Sequence, residues 1–281
     1  MITASTIAEL RDHVARSRAA GRRIGLVPTM GALHEGHLQL CDVARRHADE
    51  IVLSVFVNPL QFGPGEDFER YPRDPARDAR LAAGRGVGIL FAPGASDIYP
   101  DGPSQVRVHA PALSDVLCGR FRPGHFEGVL TVVAKLFNIV RPDSAVFGRK
   151  DLQQAVLIRR MAHDLDFAID VIVGPLVREH DGLAMSSRNA YLSPEERRSA
   201  LALHSALQAA QREFDRGVTD PAALAAVAAA TLDAEPGVST QYVELVDPRS
   251  LRTPVLAGRG HAVAVAAHVG RTRLIDNHVL E

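Results

Sequence analysis

The sequence predicts a doubly wound α/β parallel sheet over residues 1–175 and a smaller α+β domain over 176–281. In the first part, short and almost wholly apolar runs alternate with helical periods, as strands buried on both faces do. Turns bearing glycine or proline punctuate those runs. Beyond Pro175 the order changes: alanine-rich helix precedes the strands instead of separating them, which sets the second domain apart.

Taken in order, the strand candidates of the first domain are residues 24–27, 51–57, 88–91, 144–147 and 168–173. The helices between them are expected at 38–48, 75–83, 129–139 and 152–164. The opening residues, MITASTIAELRDHVARSRAAG, read as an amphipathic helix; no apolar core follows their charges, so they do not resemble a secretion signal. In the second domain, Ser193 caps a helix with Pro194 at its first position and Glu195 and Glu196 in its first turn. A helical stretch to about residue 233 and strands near 241–246, 262–268 and 272–275 follow. Ligands of doubly wound sheets bind at the carboxyl ends of strands, and here the motif-rich loops all follow strands. A ligand is therefore expected between the two domains.

Composition narrows the function. The chain is 46% hydrophobic and 23% charged, with a net charge of -1, so nothing in the charge balance points to nucleic acid or a membrane surface. No apolar run approaches the ~18 residues of a membrane span, and a cytoplasmic protein is expected. Cys41 and Cys118 match no metal or redox spacing and read as inert thiols. The 32 basic residues are 30 arginines and two lysines, Lys135 and Lys150. A lysine kept in so arginine-rich a chain suggests a need for a compact ammonium. Lys150 lies in the turn Gly148-Arg149-Lys150-Asp151 and suits a phosphate oxygen; Lys135, in an apolar helical run, equally fits a snorkelling side chain.

The stretch VPTMGALHEGHLQL, residues 27–40, carries the most chemistry. It reads as a strand end, a turn, and the first turns of a helix with His34 and His37 on one face at the helix N-terminus, where N–H groups and the dipole favour an anion. Gly31 and Gly36 suit a tight turn and close approach of a ligand. A zinc-protease motif needs histidines four apart, and His34-Glu35-Gly36-His37 is one residue short. The loop at residues 58–68 follows a strand and could close over a substrate. Arg122 and His125, in GRFRPGHFEG, are secondary candidates in what equally reads as a solvated loop and helix start. Residues 177–189, VREHDGLAMSSRN, place two hydroxyls and a guanidinium in succession, an anion grip.

Together PTMGALHEGH, FVNPLQF, RPGHFEGV, FGRKDLQQ, DGLAMSSRN and RLIDN resemble the pantothenate synthetase family along nearly the whole chain and in the right order. HxGH alone is shared across the wider nucleotidyltransferase superfamily; the other motifs are more specific. The resemblance implies a Rossmann-like first domain and an ATP-dependent ligase joining (R)-pantoate to β-alanine through a pantoyl adenylate, releasing AMP and pyrophosphate. It places ATP against Met30, Gly31, Ala32, Leu33, His34, Glu35, Gly36 and His37, against Gly148, Arg149, Lys150 and Asp151, and against Val177, Met185, Ser186, Ser187 and Arg188. Of these, His34, His37, Lys150, Ser186, Ser187 and Arg188 are the catalytic candidates, with His37 either proton donor or charge stabiliser. Gln61 and Gln154 match the pantoate-binding positions, and Gln61 also falls beside β-alanine. Mg2+ is implied with the triphosphate, held mainly by phosphate oxygens and water, and a homodimer is implied.

The loop at 59–68 and the second domain are expected to cover the adenylate. Arg149 and Leu152 depart from the family's FGEKD and KDYQQ, which bears on nucleotide affinity more than on reaction type. Two other readings stay open: a nucleotidylyltransferase that stops at adenylyl transfer, and a nucleotide-binding regulatory protein without turnover.

Overall fold

The computed structural model describes all 281 residues. They group into two compact units. One comprises Met1–Asp115, Gly119–Arg149 and Leu157–Pro175; the other comprises Val116–Cys118, Lys150–Val156 and Leu176–Glu281.

The first unit is built on six strands, β1 (Ile2–Ala4), β2 (Ile24–Thr29), β3 (Glu50–Val55), β4 (Ile89–Phe91), β5 (Ser144–Gly148) and β6 (Asp170–Gly174). They lie in the order β1-β4-β3-β2-β5-β6 with every neighbouring pair parallel. From β2 the chain moves outward to β3 and β4, then returns to β5 on the other side of β2. The sheet thus reverses direction between β2 and β5, and the crevice outside their carboxyl ends is where such sheets hold ligands. The helices α1 (Ile7–Ala19) and α2 (Glu35–Ala44) pack on this sheet, α1 along β1, β2 and β4 and α2 along β2, β3, β5 and β6. Val27, Leu33, Leu40, Ile51, Leu53 and Val146 form the core beneath α2. Burying each such side chain contributes about 1.5–3 kcal/mol.

Further along come α3 (Pro75–Gly84), three one-turn helices, α4 (Ala95–Ile98), α5 (Pro111–Ser114) and α6 (Cys118–Phe121), and then α7 (His125–Val140) and α8 (Leu152–Asp164). The helix α7 is apolar nearly all round and buries twelve of its sixteen residues, as a helix enclosed by its neighbours must.

In the second unit, α9 (Pro194–Asp215) and α10 (Pro221–Asp233) pack against each other and on an antiparallel sheet of β7 (Val238–Val246), β8 (Ala262–Val269) and β9 (Thr272–Val279). Its core includes Leu203, Leu207, Leu224, Val263 and Val265. No helix in either unit is long and apolar enough to cross a membrane.

Three expectations need correction. The N-terminal segment is not helix throughout: Ile2–Ala4 joins the sheet beside β4, and the helix begins only after Thr6, which forms a capping box with Glu9. The alanine-rich stretch is two helices, parted at Gly217, whose φ of 94° ends the first. The last strand runs to Val279 rather than Ile275, because its polar residues Asp276 and Asn277 are buried in the sheet.

Candidate active site

The turn after β2 is set by backbone geometry. Gly31 and Ala32 both adopt left-handed conformations, with φ of 82° and 49°. Thr29 anchors the start of the turn, its hydroxyl donating to the Ser54 carbonyl at 2.7 Å and accepting from the Gly31 N–H at 3.2 Å. His34 then stands as the N-cap of α2, outside the helix, with His37 in the first turn. The two imidazoles stack all the same, ring centroids 4.0 Å apart and planes inclined by 24°. The pairing expected from i, i+3 helical spacing is therefore produced by an extended residue folding back over the helix end.

Gln61 is brought to this turn. It closes a 3-10 turn (Pro59–Gln61) after β3, is 8% exposed, and directs Nε2 to the Met30 sulfur at 3.1 Å. Asn58 holds it there: Nδ2 donates to Gln61 Oε1 and to the Gly128 carbonyl, both at 3.1 Å, and Oδ1 accepts from Tyr99 Oη at 2.8 Å and from the Leu60 N–H at 3.3 Å. Burial pushes the Tyr99 hydroxyl above its ordinary range, so it stays protonated and donates. Lys135 sits over the Tyr99 ring at 5.5 Å, a cation–π contact that accounts for this lysine within the fold.

Arg122 and His125 are not on a solvated loop. Arg122 makes paired bonds to Glu66, and His125 Nδ1 donates to the Gln61 carbonyl at 2.7 Å, which leaves Nε2 to accept from Arg122 at 3.0 Å. The neutral imidazole is fixed in one tautomer by these two partners.

Of the remaining candidates, Gly148 and Arg149 belong to the first unit and those from Lys150 onward to the second. Lys150 lies in the 3-10 turn Arg149–Asp151, its Nζ 3.8 Å from Asp151 and its carbonyl accepting from Asn277 Nδ2 at 3.0 Å. Gln154 follows, half-buried, in the first turn of α8, where Leu152 is also half-buried; Arg149 is exposed. Val177 and Met185 close a loop through a 3.0 Å backbone bond. Ser186 caps the 3-10 turn Ser187–Tyr191, accepting from the Arg188 N–H at 3.2 Å.

Behind that turn stands a network not singled out from the sequence. Asn189 donates to Glu179 at 2.6 Å and to the Ala184 carbonyl at 3.1 Å, and Arg197 from α9 grips Glu179 and Asp181 at 2.6 and 2.7 Å. Burial pushes the Asp181 carboxyl up, but the Leu183 N–H and Arg197 outweigh it and hold it below the usual carboxylate range. Glu179 and Asp181 lie inside the polar segment 177–189, but their partner is far enough along the chain that spacing gave no sign of it.

A family model described as pantoate-beta-alanine ligase matches residues 2–279. The pantothenate synthetase of Moorella thermoacetica is 53% identical over 277 residues, covering 98% of this chain and 97% of its own. Pantothenate synthetase 1 of Bradyrhizobium diazoefficiens is 54% identical over 275 residues, covering 98% and 96%. Among solved structures, pantothenate synthetase from Thermus thermophilus matches with a TM-score of 0.93 at 47% identity over 99% of each chain. Pantoate-beta-alanine ligase from Francisella tularensis, solved in complex with beta-gamma ATP and beta-alanine, matches with a TM-score of 0.80 at 33% identity over 99% of this chain and 97% of its own.

Proposed function

The chain belongs to the pantoate-beta-alanine ligase family, and we propose that it condenses (R)-pantoate with β-alanine, using ATP, to give pantothenate, AMP and pyrophosphate. In the first half-reaction a pantoate carboxylate oxygen attacks the α-phosphorus, the bond to the β-phosphate breaks, and pyrophosphate leaves with its electrons. A carboxylate is already ionised near neutral pH, so this step asks for alignment and charge neutralisation rather than a general base. In the second, the neutral amine of β-alanine attacks the acyl carbon and expels AMP, its extra proton passing to solvent.

One observation supports the reading above the rest: Gln61 reaches Met30 at 3.1 Å, directly before the turn that carries the stacked His34 and His37. An amide suited to the hydroxyls and carboxylate of pantoate thus adjoins groups suited to a phosphate. In this proposal Gln61 and Gln154 hold pantoate, Gln61 also borders β-alanine, and His34, His37, Lys150, Ser186, Ser187 and Arg188 balance the phosphate charge. ATP lies along residues 30–37, 148–151, 177 and 185–188. His37 serves as proton donor or charge stabiliser. Mg2+ arrives with ATP, bound mainly by phosphate oxygens and water. Cytoplasmic location, expected from the sequence pattern, and a homodimer, on the family resemblance, belong to the same proposal.

The test is pyrophosphate release and pantothenate formation from ATP, Mg2+ and (R)-pantoate, with and without β-alanine, for wild type and Lys150→Ala. Pantothenate made only with β-alanine, and reduced about 100-fold or more in the variant, is the expected result. Pyrophosphate without pantothenate would move the reading to an adenylyltransferase with another acceptor. No turnover at all would favour a binding protein.

A further inference from the structure

Asp78 is 1% exposed, on the first turn of α3, yet its carboxylate makes no contact expected of a residue that merely offsets a helix dipole. Instead Oδ2 accepts from the Ala32 N–H at 2.9 Å and Oδ1 from the Leu33 N–H at 2.7 Å. Two successive left-handed residues, Gly31 and Ala32, turn these consecutive N–H groups toward one point, an arrangement that binds anions. The anion in it is the protein's own. Its approach also explains Gly31: a Cβ there would lie 2.9 Å from Asp78 Oδ2 and 2.8 Å from Val55 Cγ1. The close approach that the sequence suggested for a ligand at Gly31 is made by Asp78. Next to it, Arg77 Nη1 donates to the Leu33 carbonyl at 2.8 Å, fixing the peptide that leads into His34. Leu33 is thus held at its N–H by one residue of α3 and at its carbonyl by the preceding one.

We propose that Asp78 and Arg77 are positioning residues for the adenylation step: they clamp the peptides before His34 and so hold the His34–His37 stack at the angle the phosphate requires. This rests on the ligase reading above. Neither side chain needs to touch substrate. Their effect passes through the backbone, where a displacement of about 1 Å at catalytic groups is enough to lower a rate up to ~100-fold. The carboxylate matters for its two acceptor oxygens, since both bonds are charge-assisted and an amide in the same place retains only one acceptor.

The experiment uses Asp78→Asn, Arg77→Met and Arg77→Lys in the full chain. It compares steady-state kinetics with the ring resonances of His34 and His37, assigned with His34→Gln and His37→Gln. Asp78→Asn is expected to lower kcat for pyrophosphate release about tenfold or more, with KM for pantoate changed less, and to shift both histidine signals. Arg77 is exposed, so Arg77→Met should fold as wild type does. It is expected to move the histidine signals in the same sense with a smaller loss of kcat, and Arg77→Lys, which restores a donor, to recover most of it. Unmoved histidine signals and kcat within about twofold of wild type in folded Arg77→Met would overturn the clamp even if Asp78→Asn does not fold. Wild type that makes no pantothenate would overturn the ligase reading instead, while the histidine resonances still judge the clamp.

Discussion

Arg122 closes on Glu66 through two charge-assisted hydrogen bonds, Nε to Oε1 at 2.7 Å and Nη2 to Oε2 at 2.6 Å, and the same guanidinium reaches the Gln61 carbonyl at 3.3 Å. The loop after β3 is thereby tied to the segment entering α7, with Gln61 at the knot. Burial pushes the Glu66 carboxyl up, but the hydrogen bond and charge of Arg122, with help from the Gly63 N–H, hold it below its ordinary value. A depressed carboxyl contributes stability that is complete above the unfolded value near 4.3 and is lost as pH falls through the lower folded value. Limited proteolysis of residues 63–68 should therefore stay slow at pH 5–8 and quicken only below about pH 4. Glu66→Gln should cleave about tenfold faster at neutral pH, a weakening of about 1–2 kcal/mol for a partly buried charged pair. Cleavage unchanged in the variant would mean the loop is held by other contacts.

Gly128 makes a second prediction about the same corner. A Cβ there would lie 2.2 Å from the Leu60 carbonyl oxygen and 2.7 Å from the Gln61 nitrogen, both backbone atoms that cannot swing aside. Gly128→Ala should force α7 away from the Pro59–Gln61 turn, with a loss of about 1–3 kcal/mol. It should also raise KM for pantoate more than KM for ATP. Gly84→Ala is the contrast: nothing lies within 4 Å of its Cβ, and a gain of about 0.5 kcal/mol is expected from the less flexible unfolded chain. Urea midpoints of the two variants check both signs.

These contacts mark where the sequence was readable. The buried parallel strands were legible because each is a short apolar run; His34 and His37 stood out as candidates because their turn follows a strand end, whereas Gln61 was a candidate only through the family resemblance. The three-residue β1 was not, since so short an edge strand has no period of its own and directly precedes a capped helix. The break between α9 and α10 was written in the chain as Gly217 followed by Asp220 and Pro221, a helix stop and a new cap, but alanine propensity on both sides masks it. Asp78 was invisible for a different reason: its partners lie 45 and 46 residues away, and an acidic residue in a first helical turn already has a local explanation. Arg197 with Glu179, and Asn58 with Gly128, are likewise long-range pairs that only the fold brings together.

The second unit should respond to pH through His204 and His278. Burial lowers the proton affinity of both, and the Arg178 charge lowers it further. Asp276 pulls the other way on each, as Glu281 does on His278, without compensating. Asp276 is already engaged by Arg178 through bonds of 2.6 and 3.1 Å, so its charge is largely spoken for. His278 Nε2 donates to Gln211 Oε1 at 2.9 Å, a bond that the neutral ring makes. With folded values below the unfolded one near 6.5, the unfolded chain takes up protons first as pH falls. Stability from these groups is complete above about pH 6.5 and is lost on acidification through the folded values. Protection factors of the buried β8 amides, Ala262–Val269, which take out the intrinsic slowing of exchange on acidification, should fall between pH 7 and pH 5. The double variant His204→Gln, His278→Gln should flatten that dependence. A slope identical to wild type would place the pH response of this unit in other groups.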